Sequence, residues 1–456
     1  MKFDGELLLF LTEDYIERKS DTAHLSIEPP RSITTAFIRE YPWENFIYLY
    51  SSLLYDSDAK EYRIYYGARD KKNHTYLAVA ISKDGINFEK PMLSELSHGD
   101  FSRTNLVKRI AGDGAVYLDE NAPRGEKYKH FYHCGRGMFL DTSADGIHWN
   151  DDSIFISGTF NDGFNHLFYD KYIGKYRMFF RAWSGQPLHR MSVYAEREKL
   201  GNDLCIPVPE CAKRRKDSEN PYMSDNWMPT AVDIDEDFPD ATDIYTFAPV
   251  PYPSDDRYYI AFPSLYHHIT KAEGARFISD GTVETGIFAS VDGYNWCKHI
   301  GERYVKNVEF GRYRNNMSYH SAGVLRCGGE MLSAGIIYTQ THGDVESRLH
   351  YGDGEMLLYR QRADGYIALN FDKEGADAYT VDCLMGESLS INAACESEGI
   401  LSVFLVGDDG EILLGVLSGD DTDFSLEIPE TYRNRRAKLH FSGNASKLFS
   451  IKIKRM

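Results

Sequence analysis

The sequence predicts an all-β fold, a five-bladed β-propeller followed by a C-terminal β-sandwich. Three observations carry that expectation. A Ser-x-Asp-Gly turn recurs along the chain, a strand–turn–strand landmark recurs in step with it, and the pattern changes after about residue 372. Aromatic residues, at 14% of the chain, include 32 Tyr and 25 Phe, which suit half-buried pleated surfaces. Apolar spacing of the helical kind is nearly absent.

The turn reads SKDGINF at 82–88, SADGIHW at 143–149 and SVDGYNW at 290–296, with a weaker copy, RADGYIAL, at 362–369. Its aspartates, Asp84, Asp145, Asp292 and Asp364, lie 61, 147 and 72 residues apart, and the middle gap is close to two units of about 70. Five modules are expected, the third without the turn. The second landmark supplies it. LLYDSDAKEYRIYY at 53–66, VYLDENAPRGEKYKHFY at 116–132 and LFYDKYIGKYRMFF at 167–180 align on an apolar strand, an Asp-led turn and a Tyr followed by Arg or Lys. FAPVPYPSDDRYYIAF at 247–262 and GVLRCGGEMLSAGI at 323–336 are degenerate copies. In each Asp-Gly turn the Asp can bond its own backbone while Gly takes positive φ, a structural duty remote from chemistry. Short strands repeated radially answer the sheet-edge problem, and five blades leave a narrow axial funnel.

Residues 1–372 are assigned to the propeller, with the segment 1–35 closing it. The stretch 373–456, with its GDDG hairpin turn at 407–410, is assigned to the β-sandwich. The polar, Pro- and Asp-rich region 205–242 reads as a long loop between the third and fourth blades.

Charge narrows the partners. A net charge of −18 repels phosphate backbones and anionic lipid headgroups, so neither nucleic acid nor membrane is expected. The N-terminal apolar run is too short and too acidic for a signal-peptide core. Seven scattered cysteines without a CxxC pair argue against a disulfide framework or a zinc site, and a cytoplasmic location is expected. No cofactor is required; the acidic loop 233–243 offers hard oxygens to Ca²⁺ but lacks the glycine and terminal glutamate of an EF-hand.

The Ser-x-Asp-Gly turns, the five modules and the trailing sandwich resemble the propeller glycoside hydrolases of families 32, 43 and 68. The phrases LLFLTEDYIE at 8–17, PWE at 42–44, LFYD at 167–170, GKYRMFFR at 174–181 and DGTVETGIFASVDGYNW at 280–296 resemble most closely bacterial proteins described as family 32-like. The resemblance implies a glycosidase acting on an oligosaccharide or glycoside, with fructosides or arabinofuranosides favoured. The family 32 nucleophile signature WMNDPN and its RDP triplet are missing, and the Glu210-Cys211 pair that mimics its acid motif falls in the irregular loop.

Glycoside hydrolysis needs one protonated and one ionised carboxyl group flanking the bond. Residues of different blades meet only along the funnel, so the candidates are polar residues upstream of each Asp-led turn. These are Glu44, Asp113, Asp162, Asp243 and, from the last module, His320. Asp113 is expected as the charged nucleophile or base and Asp243 as the general acid, with Asp162 and Glu44 orienting substrate or tuning pKa. Asp113 and Asp162 both precede Gly and could equally serve turns. Asn165, Tyr245 and His320 are candidate hydroxyl ligands, and Trp43, Trp183 and Tyr266 candidate stacking platforms. Arg103, Arg181 and Arg314 leave open a phosphorylase, which would use phosphate in place of water. A sugar-binding propeller without catalysis is the remaining alternative.

Overall fold

The computed structural model describes residues 2–110, 114–134, 137–150, 152–157, 163–184, 189–201, 228–235, 242–268, 281–307, 309–310, 313–314, 316–342, 354–408 and 410–455. Strand is its dominant regular structure. Three short 3-10 pieces, Pro42–Glu44, Arg124–Glu126 and Glu430–Tyr432, interrupt the strands. No helix is long and apolar enough to cross a membrane. Most of the loop expected at 205–242 lies outside the described residues.

Both sequence landmarks take shape as antiparallel ladders. Phe46–Asp56, Glu61–Arg69, Thr75–Ser82 and Leu106–Ile110 pair in that order. Gly114–Leu118, Tyr128–Cys134, Gly137–Ser143 and Ile154–Ser157 form the next ladder. His166–Asp170, Lys175–Ser184, His189–Arg197 and Thr230–Val232 form another. In the following stretch the strands are broken in two. Thr242–Thr246, Ser264–His268 and Gly281–Thr285 pair in one sheet, and Val250–Pro251, Tyr259–Ala261 and Phe288–Ser290 in another. Met317–Cys327, Glu330–Tyr338 and Glu355–Arg362 form the last ladder, whose outer strand is the N-terminal Ser32–Phe37. Residues 53–55, 116–118, 250–251 and 322–325, with His166 and Phe168, line one cavity of about 290 Å³, so the first strands of the ladders converge on a common axis.

The Asp-led landmark is a brace between ladders. Tyr128 donates its hydroxyl to Asp56, Tyr176 to Asp119 at 2.6 Å and Tyr259 to Asp170 at 2.7 Å, each time from the next ladder to the one before. A basic residue of the same ladder also pairs with each of these carboxylates, Arg63–Asp56 at 3.8 Å, Lys129–Asp119 at 3.3 Å and Arg177–Asp170 at 3.5 Å. Burial raises the Asp56 pKa, but the Tyr128 hydroxyl, backbone N–H groups and Lys127 outweigh it and bring it down to about 2.

The Asp-Gly turns are pegs. In each, one Asp oxygen accepts two backbone N–H groups, as Asp292 does from Tyr294 and Asn295 at 2.7 Å, and the Ser hydroxyl accepts the Gly N–H. Gly85, Gly146 and Gly293 sit at φ of 72°, 75° and 73°, where a Cβ is strained. The turn at 143–149 is held by the first ladder, where Arg63 donates to the Asp145 carbonyl at 2.5 Å and Tyr65 to that of Gly146 at 3.1 Å. Arg177 holds the 290–296 turn through the Gly293 carbonyl at 2.5 Å. The 82–88 turn meets the last ladder, since a Cβ on Gly85 would lie 3.2 Å from Leu332 and 3.3 Å from Cys327. First and last ladders are thereby joined. The fourth copy departs from the pattern. Arg362 stands where the Ser should be, Asp364 itself takes φ 56°, and its carboxylate accepts the Ser254 hydroxyl at 2.5 Å.

The C-terminal sheet is built on two long antiparallel strands, Ser388–Gly407 and Arg436–Lys454. Here the expected boundaries need correction. Of the segment 1–35, only the stretch from Ser32 closes the last ladder. Leu7–Leu9 pairs with Arg436–Lys454, Ile16–Lys19 with Ala376–Thr380, and Ala23–Ile27 with Ile367–Phe371. Lys2–Phe3 runs parallel to Asp382–Leu384. Apolar side chains from both ends of the chain, including Phe3, Leu8, Phe10, Leu389, Leu439 and Ile451, share one core. Ile367–Phe371 also belongs to this sheet through Arg436–Lys454, so the change of unit precedes residue 372. Buried Arg362 ties the two units, donating to Asn392 Oδ1 at 2.5 Å and to the carbonyls of Ala393 and Asp421 at 3.2 and 2.8 Å.

Candidate active site

One cluster of buried polar side chains gathers at the axis, at the end of the first strands remote from the 290 Å³ cavity. On Thr242–Thr246, Asp243 and Tyr245 both meet Arg190, while Ile244 packs into an apolar cluster with Phe168, Phe179 and Val232. Asp243 receives Arg190 Nη1 at 2.9 Å and lies 3.1 Å from His268 Nε2. Burial raises the Asp243 pKa, but the His268 hydrogen bond and the Arg190 charge outweigh it and hold the carboxyl below its ordinary value. Asp243 is therefore ionised at neutral pH.

Two guanidinium groups lie over the Tyr245 ring, Arg181 at 4.7 Å and Arg190 at 4.9 Å from its centroid, and Arg190 also covers Tyr266 at 4.8 Å. The Tyr245 hydroxyl is 2.7 Å from His342 Nε2. Burial, with Arg190 and Arg181 nearby, pushes His342 down to about 3, so its imidazole is neutral. Arg181 is admitted by Gly163, where a Cβ would lie 2.6 Å from its Nε. Beside it Phe164 stacks on Tyr50 with ring centroids 5.0 Å apart, and buried Asn165 donates to the Gly163 carbonyl at 2.8 Å. Tyr319 completes the aromatic wall 5.8 Å from Tyr245.

Asp243, Tyr245, Arg181 and the expected platform Tyr266 thus come together, and Asn165 lies next to Gly163. Asp113, Asp162 and Glu210 lie outside the described residues, as do the side chains of Trp183 and Arg314. Three expectations need correction. Glu44 is 0% exposed and fully engaged, accepting the N–H groups of Glu40 at 2.8 Å and Tyr41 at 3.2 Å, Lys90 at 2.8 Å and the Tyr66 hydroxyl at 2.5 Å. It is a brace sealed from substrate by complete burial. Trp43 is sealed beside it, stacked on Tyr41 at 4.6 Å and donating to Asn105 at 2.8 Å, so neither ring face is offered to a sugar. His320 turns off the axis into the core, its ring stacked 3.9 Å from Phe262 with Nδ1 2.7 Å from the Ser321 carbonyl. Burial takes His320 down to about 3. Arg103 is exposed on the connection that follows Thr75–Ser82.

Arg190, His268 and His342 are the members that sequence reasoning missed. Each stands on or beside a strand with no local signature; only the shared parity of Arg190 with Ser192, and of His268 with Tyr266, would have put them on axis-facing sides.

Acids of the suspected Ca²⁺ loop have protein partners. Asp233 lies 2.7 Å from His189 Nε2 and Asp235 pairs with Lys298. Among the described residues no group of three acidic, His or Cys side chains gathers to hold a metal.

No family profile and no curated protein matches the chain. Solved structures of glycoside hydrolases resemble its course. A family 32 β-fructofuranosidase from Bombyx mori is 10% identical over 94% of this chain and 95% of its own, with a TM-score of 0.39. An endo-arabinase from Bacteroides thetaiotaomicron is 16% identical over 71% and 96%, with a TM-score of 0.39. A glycosyl hydrolase from Bacteroides ovatus is 11% identical over 77% and 99%, with a TM-score of 0.42. None of the three reaches a TM-score of 0.5, so the chemistry has to be read from this chain's own side chains. Those side chains offer one ionised carboxylate held by a cation and an imidazole, two arginines on one aromatic ring, and a neutral histidine.

Proposed function

We propose that this chain is a glycosidase whose ladders are the five blades of a propeller, with the C-terminal sheet forming a sandwich. The reaction takes place at the Asp243 cluster. The observation that supports this reading is Asp243 itself, a buried carboxylate kept ionised where the first strands converge. A lowered pKa suits the charged partner of a carboxylate pair and not its proton donor, so the general-acid role foreseen for Asp243 passes to another residue. Asp113 and Asp162 are the candidates for it. Tyr245 and neutral His342 would bind substrate hydroxyls. Furanosides are the favoured substrates, on the resemblance of the sequence.

Phosphorolysis is the second reading. It is favoured by the stacking of Arg181 and Arg190 on one ring, where two guanidinium groups could share an anion. Aryl furanosides and pyranosides screened with and without inorganic phosphate test both readings. Release of the aryl group without phosphate, abolished in Asp243→Asn, supports hydrolysis. Release that requires phosphate supports phosphorolysis, and sugar binding without turnover on any substrate supports a binding protein.

A further inference from the structure

The cavity of about 290 Å³ lies at the end of the axis away from Asp243, and no step of the proposed glycosidase reaction uses it. Each ladder contributes an apolar residue to its wall, Leu54, Leu118, Phe168, Val250 and Leu325 in turn. On the side of the Asp243 cluster the first strands close it off, where the Ser51 and Ser321 hydroxyls meet at 2.5 Å and Ala322 pairs with Ser52. Leu54, Leu118, Val250 and Leu325 are half-buried, so the chamber opens at its outer end. Exposed Glu120 is the one charged residue on it among the described residues.

His166 is the polar residue of this wall that is sealed from water, at 2% exposed. Burial takes its pKa down to about 4, so at pH 7 the ring is neutral and holds one N–H and one bare nitrogen. Neither nitrogen makes a hydrogen bond of good geometry among the described residues, and the Pro249 carbonyl is the group that comes near. A carbonyl accepts and never donates, so it can answer only the N–H. The bare nitrogen is left without a donor in an apolar wall, which is costly.

An apolar space of about 150 Å³ already admits benzene, and ligand chambers are mostly apolar with a few placed polar groups. A single ring bearing one hydroxyl meets both requirements. Its faces suit a wall that includes Tyr117 and Phe168, and its O–H supplies the missing donor. Charge is disfavoured. An anion would face Glu120 and a net charge of −18, and a cation would give up its hydration for one exposed carboxylate.

We propose that this chamber binds a small neutral phenol, with its ring among the five apolar residues and its hydroxyl donated to His166. The site is separate from the one that holds Asp243 and does not depend on the chemistry read there.

Phenol itself is the probe, with toluene as the isostere that lacks the hydroxyl. Titrated into the full chain carrying isotope-labelled histidine, phenol should shift the ring-nitrogen signals of His166, identified by their loss in His166→Phe. In that variant the affinity for phenol should fall about tenfold while that for toluene holds or rises. Leu118→Trp, which narrows the chamber from its half-buried rim, should abolish phenol binding in a chain whose melting curve shows it folded, and Asp243→Asn should leave it unchanged. Phenol that does not shift His166 at millimolar concentration would overturn the proposal and leave that nitrogen to water. An affinity for phenol that survives in His166→Phe or Leu118→Trp, or that disappears in Asp243→Asn, would overturn it as well. The Leu118→Trp result decides the matter even where His166→Phe fails to fold.

Discussion

Asp243 and Glu44 are both carboxylates sealed from water, and their partners separate their roles. Glu44 spends its lone pairs on two backbone N–H groups, Lys90 and Tyr66. Asp243 shares a polar cluster with two arginines and two histidines. Asp243→Asn should therefore lower kcat/KM by about 10²–10⁴-fold in a chain that still folds. Glu44→Gln should cost about 1–3 kcal/mol of stability, because buried Lys90 is left with only Glu40 and the Ile38 carbonyl, and leave the turnover of the folded fraction intact. Melting curves alongside steady-state kinetics distinguish the two. A pH dependence belongs to Asp56. Its folded pKa of about 2 lies below the unfolded 3.8, so its stabilisation is complete above about pH 4 and drains away as pH falls through 2. Asp56→Asn should remove about 2 kcal/mol of that acid-side slope, read from denaturant midpoints between pH 5 and pH 2.

At the scale of elements, the Asp-Gly turn is a peg whose socket differs from ladder to ladder. A Cβ on Gly146 would fall 2.1 Å from the Tyr65 hydroxyl and 2.8 Å from the Tyr128 ring, whereas one on Gly85 finds its nearest neighbours at 3.2–3.3 Å. Both positions need positive φ, so Gly85→Ala should cost about 1–3 kcal/mol and Gly146→Ala more, because Tyr65 and Tyr128 must also move. Thermal melts of the two variants give the comparison. These turns were legible in the sequence because their chemistry is local, Ser, Asp and Gly within four residues. The braces were half legible. Asp56, Asp119 and Asp170 announce turns, but their partners Tyr128, Tyr176 and Tyr259 lie in the following ladder, beyond any local pattern. The site was harder still. His320 looked like a funnel residue because it stands near the start of its strand, yet alternation gives Tyr319 the axis and sends His320 between Phe262 and Tyr359.

For the whole molecule, the repeat foretold the ladders and the change of pattern foretold the C-terminal sheet. What escaped was the path of the first 27 residues, whose short strands carry apolar side chains like any other and name no partner. They enter the C-terminal sheet, and Arg362 crosses the same seam. The two units should accordingly melt together. Arg362→Ala, which leaves buried carbonyls and Asn392 without their donor, should split the calorimetric transition in two and lower the C-terminal half.

The closure of the last ladder by Ser32–Phe37 also sets a clock. This strand is made well before its partner Glu355–Arg362, which follows roughly 320 residues later, on the order of 15–60 s of synthesis at common rates. Leu7–Leu9 waits longer, for its partner Arg436–Lys454. Both strands thus stay unpaired while the chain between them and their partners is made, and their most exposed moment comes on the ribosome, before shelter arrives.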